Sequence, residues 1–157
     1  MIEIERKFLV TSHVFREEAY QKSRIIQGFL NRDPERTVRV RLKDDKGMLT
    51  VKGLSSNDGL SRFEWEKEIS KNDAKALLEF CENGVIDKVR HEIKVGNHIF
   101  EVDEFFGDNE GLVIVEVELQ TEDETFTKPD WLGEEVTGQI KYYNSQLSKQ
   151  PFNTWHL

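Results

Sequence analysis

Cysteine occurs once in this chain, at Cys81, which excludes an internal disulfide and fits a reducing compartment. Proline occurs three times, at Pro34, Pro129 and Pro151, too scattered to mark a linker. No long hydrophobic run exists: the longest aliphatic stretch, Leu112-Val113-Ile114-Val115, is far too short to cross a membrane. The N-terminus has no apolar signal core, so a soluble cytoplasmic protein is expected. The four histidines, His13, His91, His98 and His156, stand apart, with no His/Cys metal spacing and no Walker-type phosphate loop. Positive charge is also in deficit, with 22 Lys and Arg against 30 Asp and Glu and a net charge of −8. Nucleic-acid affinity comes from an excess of Lys and Arg over phosphates, so a generic nucleic-acid surface is excluded, though a local basic pocket is not.

What the chain has is charge in a regular pattern. Charged residues make up 33% of 157 residues against 37% hydrophobic, enough for one domain, residues 1–157, with a real core. Period-two alternation predicts eight strands, at 1–10, 24–31, 37–43, 48–53, 61–69, 87–95, 98–105 and 112–120. Asp44-Asp45-Lys46-Gly47 and Gly96-Asn97 read as hairpin turns. Ser70 reads as the N-cap of a helix, with Asp73 three residues on, an apolar stripe at Ala74, Leu77, Leu78 and Cys81, and Gly84 as its C-cap. The stripe gives Cys81 a buried apolar role. Weaker helical segments are expected at 14–21, 131–135 and 139–147. Trp65, Trp131 and Trp155 read as core or helix-docking residues, and Tyr142 and Tyr143 as packing for the last helix. Eight strands joined by short turns favour a closed antiparallel barrel in a mostly β, α+β fold, because closure removes exposed edges.

Glu3, Glu5 and Lys7 alternate along the first strand and share one face. The pattern recurs at Arg39, Arg41 and Lys43; at Thr50 and Lys52; at Arg62, Glu64, Glu66 and Glu68; at Lys88 and Arg90; at Glu101 and Asp103; and at Glu116 and Glu118. Two readings fit: a solvated face on every strand, or a polar interior shared by all of them. Signs are grouped by strand, as a shared interior would require, and apolar residues would then point outward beneath helices. Buried charges need a ligand, because leaving them unpaired is too costly. Carboxylates without His or Cys suit hard cations such as Mg²⁺ or Mn²⁺, and paired Arg residues suit bidentate phosphate binding. Two divalent cations would make the interior net positive, fit for an anion of several charges.

These residues closely resemble the CYTH family, also called triphosphate tunnel metalloenzymes. Its Glu-x-Glu-x-Lys signature is matched by Glu3, Glu5 and Lys7. The likeness continues through Gln27-Gly28, 37–41, 49–53, 62–69, 101–105, 115–119, 129–137 and Tyr142-Tyr143-Asn144. The resemblance implies an eight-stranded antiparallel tunnel that binds a small triphosphate with divalent metal, two Mg²⁺ or Mn²⁺ ions. It implies catalytic roles for Glu3, Glu5 and Lys7. It assigns phosphate binding to Lys7, Arg39, Arg41, Lys52, Arg62, Lys88 and Arg90, with Arg62 alternatively paired to its acidic neighbours. It assigns metal binding to Glu3, Glu5, Glu116 and Glu118, with Glu64, Glu66 and Asp103 as further partners, through water.

Short members with this tail resemble inorganic triphosphatases, so hydrolysis of tripolyphosphate, or of a nucleoside or thiamine triphosphate, is the implied activity. Class IV adenylate cyclisation and a non-catalytic polyphosphate-binding module are the alternatives. Cyclisation needs a purine pocket at one mouth, and no short motif identifies one. A homodimer through the apolar outer sheet face is a further expectation. One position departs from the family: Phe29 stands where related short triphosphatases carry a Tyr that works with the signature Lys. Without that hydroxyl, Lys7 reads better as a phosphate ligand than as a general base.

Overall fold

The computed structural model describes residues 2–155; Met1, His156 and Leu157 lie outside the described residues. The strands are β1 (Ile2–Val10), β2 (Gln21–Asn31), β3 (Arg36–Lys43), β4 (Lys46–Ser55), β5 (Ser61–Ile69), β6 (Ile86–Val95), β7 (His98–Phe105), β8 (Val113–Leu119) and β9 (Leu132–Glu135). Their order in the sheet is β5-β4-β3-β2-β6-β7-β8-β1-β9, and an additional β5–β1 pairing closes the first eight into an antiparallel barrel. β1 is the closing strand and divides its free edge between two partners. Its first residues pair with β5 (Ile2 opposite Phe63, Ile4 opposite Ser61), and its last pair with β9 (Phe8 opposite Glu135, Val10 opposite Leu132).

Antiparallel partners directly opposite each other share a face, so the register fixes what points inward. Lys7 lies opposite Glu116, Gln27 opposite Arg41, Arg39 opposite Thr50, Lys52 opposite Glu64, and Arg90 opposite Asp103. The charged rows therefore line the interior, and the shared polar interior prevails over the solvated face. The alternate residues point outward and form the main apolar core. Phe8, Phe100, Val102, Val115 and Val117 are buried beneath Phe15 of α1 (Phe15–Glu18), Trp131 and the loop bearing Phe126. On the other flank, α2 (Lys71–Leu78) packs on β3 and β4, with its buried Ala74 against Gly47. Gly28 and Gly47 let the helix approach: an added Cβ would lie 2.8 Å from Cys81 Cβ at Gly28 and 2.9 Å from Ala74 Cβ at Gly47.

A second apolar cluster sits inside the barrel at one level. Leu9, Ile86, Phe105 and Ile114 alternate with the outward residues, and the C-terminal segment packs on them through Val136, Tyr142, Leu147, Phe152 and Trp155. This segment fills the barrel at that level and leaves the charged part open.

Several helical expectations are corrected. Of residues 131–135, Leu132–Glu135 form a strand, because β1 needs an edge partner where β5 departs. The helix expected at 139–147 is a 3₁₀ turn at Ile140–Tyr142 and a single turn, α3 (Asn144–Leu147), parted by an extended Tyr143 (φ −71°, ψ 136°). The first helix is one turn long, and Gln21 already belongs to β2. Ser70 caps α2 as expected, its hydroxyl accepting from the Asp73 amide at 3.0 Å. The helix, however, ends at Leu78, so Cys81 lies beyond it and only half-buried. Gly84 does adopt a left-handed φ of +93°, but for close approach rather than capping: a Cβ there would meet Ser148 O at 1.9 Å.

The outward apolar residues are also not all covered. Trp65, expected in the core, is exposed on the outer face of β5, near Phe63 and Ile2.

Candidate functional site

The barrel encloses a cavity of about 570 Å³, within the size range of small-molecule sites. Its acidic lining is Glu3, Glu5, Glu64, Glu66, Glu101, Glu116 and Glu118. Its basic lining is Lys7, Arg39, Arg41, Lys43, Lys46, Lys52, Arg62, Lys88 and Arg90. The structure thus gathers charged residues from seven strands, β1 and β3 to β8, between Glu3 and Glu118 in the chain. Among the predicted site residues, Asp103 alone is missing from the lining.

Asp103 is fully buried behind the wall. Its carboxylate accepts from Lys88 Nζ at 2.7 Å, from Arg90 Nε at 2.8 Å and from Arg90 Nη2 at 2.9 Å. Burial alone would raise its pKa, but Arg90 and Lys88 outweigh that and hold it well below the usual carboxylate range. Both oxygens are committed to the two cations, and the geometry makes Asp103 their anchor. Lys88 also donates to Asn144 Oδ1 at 3.0 Å, and that oxygen accepts from Gln27 Nε2 at 2.8 Å. Gln27 in turn accepts from Arg41 Nε at 2.8 Å. α3 therefore delivers a side chain into the basic wall, a contact the sequence reading did not anticipate. Burial pushes Lys88 down to about 7, against the pull of Asp103 and with help from Arg90 and Arg41. Burial, then Arg39 and Arg90, push Arg41 down to about 9. These shifts mark a wall of crowded, buried cations whose charge Asp103 offsets only in part.

The opposite wall holds lysines between carboxylates. Lys7 Nζ lies 3.2 Å from Glu116 and 3.4 Å from Glu5; Lys52 Nζ lies 3.3 Å from Glu3 and 3.9 Å from Glu64. Burial opposes the Lys7 ammonium, yet Glu116 and Glu5 more than compensate and raise its pKa. Lys7 is thus firmly charged. Burial, then the charge of Glu116, push the Glu5 carboxyl up to about 8. Glu116 moves the other way: burial is overcome by Lys7, Arg90 and Lys88, so it stays ionised. Glu3, Glu118 and Glu101 are all raised, first by burial, with neighbouring carboxylates adding to it. Crowded carboxylates of raised pKa fit a hard divalent cation as a donor set, since a cation would relieve their repulsion. Among the described residues, no group of three His, Cys, Asp or Glu side chains is already drawn together around a metal position. The interposed lysines account for that spacing.

Residues 1–150 match the family model described as the CYTH domain. The chain belongs to the CYTH family. Two CYTH relatives are named inorganic triphosphatase. The one from Acetivibrio thermocellus is 46% identical over 154 residues, covering 98% of this chain and 97% of that protein. The one from Nitrosomonas europaea is 36% identical over 151 residues, covering 94% and 97%. The crystal structure of an inorganic triphosphatase superposes with a TM-score of 0.66 at 31% identity, over 93% of this chain and 97% of that one. A Hippeastrum protein described by a dominant triphosphatase activity shares the fold alone, at 18% identity and a TM-score of 0.60 over 76% and 80%.

Against this CYTH frame, several tunnel residues escaped the sequence reading. Tyr143, read as helix packing, lines the tunnel, with the Lys7 ammonium 5.6 Å from its ring centroid. Asn144 and Ser145 follow it into the lining. The only signal was the Tyr-Tyr-Asn likeness, because nothing local in a helical reading turns those side chains inward. Arg62 does not pair with its acidic neighbours: it donates to Thr37 Oγ1 at 2.9 Å and to the carbonyls of Gly53 and Pro34. Phe29 is buried and lines the tunnel, so its side chain presents a ring without a hydroxyl there. His91 and His98 make local contacts with Glu104 and Glu124, away from the tunnel.

Proposed function

We propose that this chain is a divalent-metal-dependent triphosphatase that hydrolyses a phosphoanhydride bond of a small triphosphate, foremost inorganic tripolyphosphate. The observation that carries the reading is one cavity in which a wall of buried cations, Arg39, Arg41, Lys88 and Arg90, faces a wall of crowded carboxylates, Glu3, Glu5, Glu116 and Glu118, with Lys7 and Lys52 set among them. The two inorganic triphosphatases aligned along nearly the whole chain support it. In this reading Arg39, Arg41, Lys52, Arg62, Lys88 and Arg90 bind the phosphate oxygens, and Lys7 holds one oxygen as a fixed positive charge. Guanidinium pairs suit that task because their forked donors match phosphate geometry.

Glu3, Glu5, Glu116 and Glu118 form the metal-binding set for Mg²⁺ or Mn²⁺, two ions, with Glu64 and Glu66 able to join through water. Asp103 orients Lys88 and Arg90 instead of contributing to that set. A bound ion would neutralise developing phosphate charge and make water nucleophilic near neutral pH. Phosphate arriving at Lys7 and Lys52 would draw them from Glu5, Glu116, Glu3 and Glu64, and so free those carboxylates. Residues 1–157 act as one unit in the cytoplasm in this reading, where the lone Cys81 stays a free thiol. Its partners are the small triphosphate and a second copy of the chain, with no role for nucleic acid or membrane.

Phosphate release from tripolyphosphate, ATP and thiamine triphosphate, with Mg²⁺ or Mn²⁺ and a parallel cyclic AMP assay, tests the proposal. Glu3→Gln and Glu116→Gln are expected to abolish release while retaining the folded circular-dichroism spectrum. Full activity in both would overturn the metal assignment. Tight metal-dependent binding without release would make the protein a binding module.

A further inference from the structure

Among the described residues, Asn144 is the one amide side chain that lines the charged tunnel. Its place is fixed from both sides. Tyr142 and Leu147 are buried in the apolar cluster inside the barrel, together with Ile86 of β6. Lys88 is the next inward residue along that strand, so the docked segment sets the Asn144 side chain beside it.

There Asn144 enters a chain of hydrogen bonds whose direction the chemistry fixes. Lys88 Nζ can only donate, and it donates to Asn144 Oδ1 at 3.0 Å. The same oxygen accepts from Gln27 Nε2 at 2.8 Å. Gln27 therefore turns its own oxygen to Arg41, whose Nε donates to it at 2.8 Å. A group that can only donate stands at each end, so both amides fit in one orientation alone. Gln27 is 0% exposed, and without Asn144 its Nε2 would be stranded in the barrel wall.

The chain orients two cations without neutralising them. Lys7 and Lys52 sit among carboxylates, whereas Arg41 and one N–H of Lys88 are held by neutral amide oxygens. Asp103 takes a second N–H of Lys88. Among the described residues, no acceptor is bonded to the third, to either Nη of Arg41 or to Asn144 Nδ2.

We infer that Asn144 belongs to the phosphate site: its oxygen positions Lys88 and, through Gln27, Arg41, while its Nδ2 amide donates to a phosphate oxygen. The inference rests on the triphosphatase reading for its ligand and adds a residue which that reading leaves out. A neutral amide is the group such a place requires. It meets a cation with its oxygen and an anion with its N–H, and it takes no charge away from either.

The test compares Asn144→Ala and Asn144→Asp with the parent, in the full chain. Binding of tripolyphosphate to the metal-free protein is followed by calorimetry, stability by urea denaturation, and phosphate release with Mg²⁺. Alanine deletes both the oxygen and the donor; aspartate keeps the oxygen and replaces the donor by a negative charge. Tripolyphosphate affinity is expected to fall about tenfold in Asn144→Ala, the worth of one charge-assisted hydrogen bond, and further in Asn144→Asp. Stability should run in the other order, with Asn144→Asp at least as stable as the parent, because its carboxylate pairs with Lys88, and Asn144→Ala less stable. Adding Gln27→Ala to Asn144→Ala should weaken binding by less than the product of the two single effects, since both act on one chain.

A residue that only docks the tail would leave affinity within about twofold of the parent in both variants, and that result overturns the inference. Fully independent effects of Gln27→Ala and Asn144→Ala overturn the positioning role. Should Asn144→Ala fail to fold, Asn144→Asp decides alone, weaker binding supporting the inference and unchanged binding overturning it. A parent protein that binds tripolyphosphate without hydrolysing it removes the triphosphatase reading, and the affinity order still decides Asn144. A parent protein that binds none overturns both.

Discussion

Asp103→Asn removes one negative charge from the most deeply buried ion cluster of the barrel. Asp103 is 0% exposed, Lys88 1% and Arg90 6%. Three charge-assisted bonds converge on the carboxylate, two at Oδ2 and one at Oδ1. An asparagine offers one acceptor oxygen, so one or two of the three bonds are lost, at about 1.5–3 kcal/mol each. Removing one partner of a buried pair independently costs about 3–5 kcal/mol, and the two routes agree. Against a total stability of about 5–15 kcal/mol, the variant should unfold at markedly lower urea.

A second consequence separates this account from metal ligation. Phosphate supplies the missing negative charge to Lys88 and Arg90, so tripolyphosphate without metal should raise the melting temperature more in Asp103→Asn than in the parent protein. If Asp103 were instead a metal ligand, removing its charge from a crowded acidic wall would leave metal-free stability unchanged or improved. Urea and thermal denaturation of metal-free protein, with and without tripolyphosphate, read the two quantities. A loss below about 1 kcal/mol refutes the anchoring role, since that is less than a single charged hydrogen bond is worth.

Metal affinity should depend on pH through Glu5. Its carboxyl is raised to about 8, so metal-free protein holds that proton at pH 7, and a divalent cation must expel it. Apparent Mg²⁺ affinity should therefore climb by up to about tenfold per pH unit between pH 6 and 8 and level off above, with proton release in weakly buffered calorimetry. A flat profile across that window contradicts the assignment. The same shift makes the folded metal-free protein bind more protons than the unfolded chain between pH 4.5 and about 8, so this group's contribution to stability is full below that window and lost as pH rises through it. Gly47→Ala tests the seating of α2: the added Cβ would stand 2.9 Å from Ala74 Cβ and from the carbonyl oxygens of Ile69 and Ser70. Backbone cannot yield as a flexible side chain does, so a loss of about 1–3 kcal/mol is expected in denaturant titration, and a neutral result would show that the helix shifts freely.

The strands were legible because a barrel with a polar lumen and an apolar coat imposes period two on every strand, and the period survives in each ten-residue window. Gly96-Asn97 and Ser70 were legible for a similar reason: turn and cap chemistry is local. The tail was not. Leu132–Glu135 carries no strong strand signal and became a strand because β1 had an open edge. Tyr143 is extended between two single turns and lines the tunnel, a placement that no local pattern signals. Asp103 looked like every other inward carboxylate, because its period-two position matches theirs.

Sequence alone determined which residues share one face of each strand, because alternation is a property of the extended backbone, while the closing β5–β1 pairing decided that those faces form one lumen. Only the tertiary structure decided which of those charges are free to meet a ligand. Asp103 is spent on Lys88 and Arg90, Lys7 is held charged between Glu5 and Glu116, and Arg62 is bonded to Thr37 and to the carbonyls of Gly53 and Pro34. The physical reason is that pairing depends on depth and register between strands far apart in the chain. Identical alternation can place one carboxylate behind the wall and the next one in the open tunnel.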